Sequence, residues 1–110
     1  MNKETSEKIQ ELQILEQNIQ SSIMQKQTIQ LELNETNNAL EEIKKSKDDV
    51  FKIVGGIMIK SDNNTIKKEL EEKNKILDLK IKTLEKQEKL VEEKANKIKQ
   101  EINSAVDKDK

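Results

Sequence analysis

Apolar positions recur alternately three and four residues apart through the first half of the chain. Leu12, Leu15, Ile19, Ser22, Lys26, Ile29, Leu33, Thr36, Leu40 and Ile43 occupy one stripe. That spacing is the seam of a helix packed against another helix. Good helix formers without Gly or Pro fill the intervening positions, and the pattern predicts a helix over about 6–45. Ser22, Lys26 and Thr36 interrupt the seam with polar groups, and Ile9, Ile14, Ile23, Met24 and Leu31 lie off it.

The second half repeats more regularly. Leu70, Leu77, Leu84, Val91, Ile98 and Ala105 recur every seventh residue, with Asn74, Ile81, Glu88, Ala95 and Ile102 at the other seam position. Asp62, Asn63, Asn64 and Thr65 supply capping side chains just before Ile66. A second helix is predicted over 64–106, with a charged, frayed tail at 107–110.

Between the helices the period changes to two. Val50 to Val54 and Ile57 to Lys60 are short β-branched, apolar runs around Gly55 and Gly56, which predicts a tightly turned β-hairpin over 50–61. A glycine-broken helical connection is the competing reading. The hairpin's alternation places Lys52, Val54, Ile57 and Ile59 on one face and Phe51, Ile53, Met58 and Lys60 on the other. Both faces are largely apolar, and an isolated two-stranded hairpin is marginal in water. Its free edges and faces call for pairing with hairpins of other subunits; folding back onto the chain's own helices is the alternative.

The two seams fit one another. Pairing residues whose numbers sum to a constant sets Leu40 against Leu70, Leu33 against Leu77, Ile29 against Ile81, Ile19 against Val91, Leu15 against Ala95 and Leu12 against Ile98. Polar positions coincide as well: Thr36 meets Asn74 and Ser22 meets Glu88. Only Lys26 against Leu84 is mismatched, and Lys26 reaches Glu88 one layer away. The expectation is a mainly α fold: an antiparallel two-helix coiled coil with arms of about 60 Å and the β-hairpin at the bend, the two termini sharing the free end.

Composition agrees with exposed helices and argues against several functions. Hydrophobic residues make up 32% of the 110 residues, charged residues 39%, and Phe51 is the sole aromatic. Lys and Glu are mixed to a net charge of −1, with no Arg, so a nucleic-acid partner is not expected. No Cys or His is present, which removes thiolate sites and the commonest general base. Catalytic, cofactor and metal sites are not expected. Gly55 and Gly56 lie between strands and do not open a helix, so they form no phosphate loop. Met1 to Gln10 is polar, and Ile53 to Ile59 is too short to cross a bilayer. A cytoplasmic protein without a membrane partner is expected; a membrane-dipping loop at Ile53 to Ile59 is the alternative.

The ordered combination resembles the β-type subunit of archaeal prefoldin. Asp49 to Lys60 is similar to that family's hairpin: an aromatic, Lys, apolar residues, Gly, then an apolar run closing in Lys. Gln25-Lys26-Gln27 and Leu40-Glu41-Glu42-Ile43 resemble its first helix. Glu69-Leu70, Leu79-Lys80-Ile81, Leu84 and Gln87-Glu88 resemble the start of its second. The likeness spans about Glu11 to Ile102 within a single prefoldin-like domain over 1–110.

The resemblance implies a hexamer of two α and four β subunits on a double β-barrel platform. It also implies an ATP-independent holdase that captures non-native proteins at coiled-coil tips and delivers them to a group II chaperonin. A structural scaffold or tether is the alternative function. The expected assembly residues are Phe51, Ile53, Val54, Ile57, Met58 and Ile59. The expected client-binding residues are Ile9, Leu12, Ile14, Leu15, Ile98, Ile102 and Val106. Leu12, Leu15, Ile98 and Ile102 belong chiefly to the seam, whereas Ile9, Ile14 and Val106 are expected to stand exposed.

Overall fold

The computed structural model describes residues 2–46 and 49–108. Its element order is α1 (Lys3–Lys45), β1 (Val50–Val54), β2 (Ile57–Ser61) and α2 (Asn63–Lys108). The chain forms two compact units. One is drawn from residues up to Gln27 and from Lys82 onward, the other from Thr28 to Ile81.

α1 begins three residues earlier than its pattern suggests. Asn2 caps it: the Asn2 Oδ1 accepts from the Thr5 amide at 2.8 Å, satisfying a donor that the first turn leaves free. Thr5 then packs into the interior of the first unit. α2 likewise begins one residue early, because Asp62 serves as its cap. The Ile66 amide donates to the Asp62 carbonyl at 3.1 Å, and the Thr65 hydroxyl lies 3.4 Å from Asp62 Oδ2. At its other end α2 continues through Lys108, so Asp107 and Lys108, expected to fray, are helical. Asp109 and Lys110 lie outside the described residues.

Every expected seam position is buried or half-buried. In the first unit Leu15, Ala95 and Ile98 form the core, with Leu12, Val91 and Ile102 packed against it. This is the antiparallel pairing that the two sequence periods require. Ion pairs flank it: Lys8 to Glu101 at 3.5 Å, Glu11 to Lys94 at 3.5 Å and Glu16 to Lys99 at 3.9 Å. Lys26 and Glu88 supply a fourth, half-buried pair within the seam.

In the second unit Leu40, Ile43, Ile66 and Leu77 are buried. Its polar layer differs in detail from a direct Thr36–Asn74 contact. The buried Thr36 hydroxyl donates to the Glu32 carbonyl of its own helix at 2.8 Å, the local bond open to a mid-helix Thr. Asn74 instead donates to Asn37 Oδ1 at 2.6 Å.

The strands pair antiparallel, Val50 with Ser61 through Val54 with Ile57. Gly55 and Gly56 close the turn with φ of 56° and 81°. Positive φ at both central residues is the mirror-image turn that matches the twist of a two-residue hairpin.

Candidate functional site

The hairpin gathers six exposed large apolar side chains, Phe51, Ile53, Val54, Ile57, Met58 and Ile59, on one small sheet. Every residue from Phe51 to Lys60 is exposed; Ile53 retains 71% of its accessible surface, Ile57 65% and Phe51 55%. The strand register puts Lys52 opposite Ile59 and Val54 opposite Ile57 on one face, and Phe51 opposite Lys60 and Ile53 opposite Met58 on the other. All six residues expected to mediate assembly are therefore presented together, on both faces of one small sheet. No helix covers them. Two ion pairs flank the sheet instead: Lys52 to Glu69 of α2 at 2.9 Å, and Lys60 to Asp49 at 3.1 Å.

The base of the hairpin is fixed more firmly. Asn63, the first residue of α2, donates its side-chain amide to the carbonyls of Ile43 and Ser46 at 3.4 and 3.3 Å. Those carbonyls belong to the last turn of α1 and the residue beyond it, where helical partners run out. One side chain thus ties the end of one helix to the start of the next.

The second candidate surface lies in the other unit, where the start of α1 runs beside the end of α2. Of the residues expected to bind clients there, Leu12, Leu15, Ile98 and Ile102 come together in the seam. Ile14 and Val106 stand exposed, at 58% and 40%. Ile9, expected to stand exposed with them, is half-buried. The groove at this end is polar. Asn2, Thr5, Lys8, Glu101, Ser104 and Ala105 contribute to its lining, and Lys8 lies within ion-pair reach of both Glu4 and Glu101. Exposed apolar side chains occur farther along both helices, at Met24 and Leu90. Met24 is legible in the sequence as an off-seam position, whereas Leu90 sits beside the seam residue Val91 and carries no periodic signal of its own.

Among the described residues Lys26 is the one titratable group whose pKa clearly departs from its ordinary value, and it is raised. The chief cause is its hydrogen bond to Glu88, with the charges of Glu88, Glu85 and Glu92 adding to it and desolvation opposing. Lys26 is thereby held in its charged form beside Glu88, as in an ion pair. Among the described residues no group of His, Cys, Asp or Glu is arranged to hold a metal ion, and no helix is long and apolar enough to cross a membrane.

Comparison with known proteins points the same way. Residues 6–109 match the family model described as prefoldin subunit. The prefoldin subunit beta of Pyrococcus furiosus is 37% identical over 98 residues, covering 87% of this chain and 84% of that protein. Its counterpart from Thermococcus onnurineus is 39% identical over the same length, with the same coverage. The crystal structure of the prefoldin beta subunit from Thermococcus strain KS-1 superposes with a TM-score of 0.87 at 33% identity, covering 94% of this chain and 93% of that one.

Proposed function

This chain belongs to the prefoldin subunit family, a family of chaperones, and we propose that it is the β-type subunit of a hetero-oligomeric, ATP-independent holdase. The observation that carries the proposal is the exposed hairpin. Phe51, Ile53, Val54, Ile57, Met58 and Ile59 lie in solvent on both faces of a sheet with two free edges. Hairpins from other subunits, α-type partners among them, pair with those edges and bury those faces in a β-barrel platform. Covering one such side chain contributes roughly 1.5–3 kcal/mol, so several together offset the entropy of association.

The helices then hold non-native proteins. Apolar side chains near the chain's termini, Ile14 and Val106 foremost, take up the apolar segments of a client; Ile9 and the seam residues Leu12, Leu15, Ile98 and Ile102 contribute where the helices part. Each such contact is weak and non-directional, and several subunits on one platform gain avidity for one client. Binding without hydrolysis suits delivery to a group II chaperonin. The protein works in the cytoplasm and without a catalytic site.

The decisive experiment uses Ile57→Asp. It places an unpaired carboxylate in the platform at a cost of several kcal/mol. Analytical ultracentrifugation of the chain with an α-type partner should show dissociated subunits, while circular dichroism shows helices retained. Light scattering should show that the wild-type complex suppresses aggregation of an unfolding protein without nucleotide. An intact Ile57→Asp oligomer overturns the platform; a wild-type complex that suppresses nothing leaves a structural tether.

A further inference from the structure

The sheet meets α2 at a corner with a single residue in it. β2 ends at Ser61 and α2 begins at Asn63, which leaves Asp62 between them. Every side chain from Phe51 to Lys60 is exposed, so packing does not hold the sheet against either helix. A sheet joined in this way turns about the two soft dihedrals of the corner residue. The bonds from Asn63 to the Ile43 and Ser46 carbonyls fasten the two helices to each other; they do not reach the strands.

A side chain crosses the corner. Lys52 of β1 donates to Glu69 of α2, with Nζ 2.9 Å from Oε2. Lys52 stands opposite Ile59, which lies three residues before Asp62, about 10 Å along the strand. Glu69 lies seven residues after Asp62, about 10.5 Å and two turns along the helix, back on the same side. The pair is thus a brace between two legs of nearly equal length. The sheet's other lysine behaves differently: Lys60 pairs with Asp49, just ahead of β1, so that contact stays within the hairpin.

We propose that the Lys52–Glu69 pair positions the hairpin for assembly, fixing the tilt of the sheet on α2 so that every copy enters the platform at one angle. The inference rests on the platform reading above and adds the residues that set its geometry. The bond turns the face carrying Lys52, Val54, Ile57 and Ile59 toward α2 and leaves the face carrying Phe51, Ile53 and Met58 turned away. Two faces of similar composition are thereby made unequal before a partner arrives. An exposed ion pair adds little to the stability of a folded chain. Setting an angle asks less of it, and a tilt settled beforehand is one less freedom to lose on association. The tilt also bears on client capture, because subunits on one platform gain avidity only when their geometry lets them engage the same client.

The test uses the full-length chain assembled with an α-type partner. The sequence contains no Cys, so Lys73→Cys, at an exposed position of α2, gives each copy one spin label. Double electron–electron resonance then reads the distances between copies. Lys52→Met keeps the apolar stem and removes the charge; it should broaden or shift the distances, whereas Lys60→Met should leave them unchanged. Lys52→Glu and Glu69→Lys each set like charges at the corner and should raise the dissociation constant for assembly about tenfold, read by analytical ultracentrifugation. Circular dichroism checks that helix content persists. Combining the two reverses the pair and should restore both the affinity and the distances. Unchanged distances in Lys52→Met, equal changes in Lys60→Met, or a reversed pair no better than its single variants overturns the inference. If Ile57→Asp dissociates the complex while the Lys52 and Glu69 variants assemble like wild type, the platform stands and the brace falls. If wild type does not assemble with the partner, both fall together.

Discussion

Lys26 of α1 and Glu88 of α2 meet inside the helical seam, Nζ 2.7 Å from Oε2, although Lys26 lies directly across from Leu84 in the expected register. The lysine stem covers apolar surface while its ammonium reaches the next layer. The sign of the resulting pH dependence follows from the raised Lys26 value. The contribution is fully present below the ordinary lysine value near 10.5 and is lost as pH rises through the folded one. Thermal unfolding followed by circular dichroism should therefore show a larger loss of stability between neutral pH and pH above the lysine range in wild type than in Lys26→Met. Parallel losses in the two proteins would show that the pair contributes nothing.

Asn63 separates two effects that act in opposite directions. An acidic residue in the first turn of a helix is favourable, so Asn63→Asp should stabilise α2 if the helix dipole dominates. The Asn63 amide, however, donates to the Ile43 and Ser46 carbonyls, and a carboxylate there would repel both. We expect Asn63→Ala to cost about 0.5–1.5 kcal/mol and Asn63→Asp to cost more. Chemical denaturation of the two variants decides it: an Asp variant more stable than the Ala variant would demote the carbonyl bridge.

The glycine pair can be tested one position at a time. A Cβ at either residue would meet nothing within 4 Å, so any penalty comes from backbone conformation alone. Gly55, at φ 56°, has the left-handed geometry that Asn tolerates. Gly55→Asn should leave the hairpin intact, whereas Gly56→Val should cost about 1–2 kcal/mol. The cross-strand contact between Val50 and Ser61 in NMR spectra is the readout, and its survival in Gly56→Val would contradict the turn assignment.

The helices and their pairing were legible because burial in a two-helix seam depends on spacing alone. A residue such as Leu77 or Ile98 is placed inside by its heptad position whatever surrounds it. The hairpin was legible for a similar reason: a Gly pair between β-branched runs permits few alternatives. Polar partners were harder to read. Asn74 was expected to face Thr36, but a threonine inside a helix is satisfied by its own backbone, which frees Asn74 to bond Asn37. Ile9 was expected in solvent because it lies off the seam, yet it is half-buried beside the seam positions of the observed helix. Such choices depend on side-chain rotamers and helix limits, which periodicity does not encode.

Folding of the single chain leaves unfinished work at the hairpin. Val50 to Val54 and Ile57 to Ser61 present two strand edges with open hydrogen-bonding groups and a mostly apolar surface, the combination most prone to indiscriminate strand addition. A surplus of this polypeptide is therefore a hazard in proportion to its excess. On the proposed assembly, its synthesis would have to keep step with the supply of the hairpins that cap those edges, and an orphan copy would be a natural target for degradation.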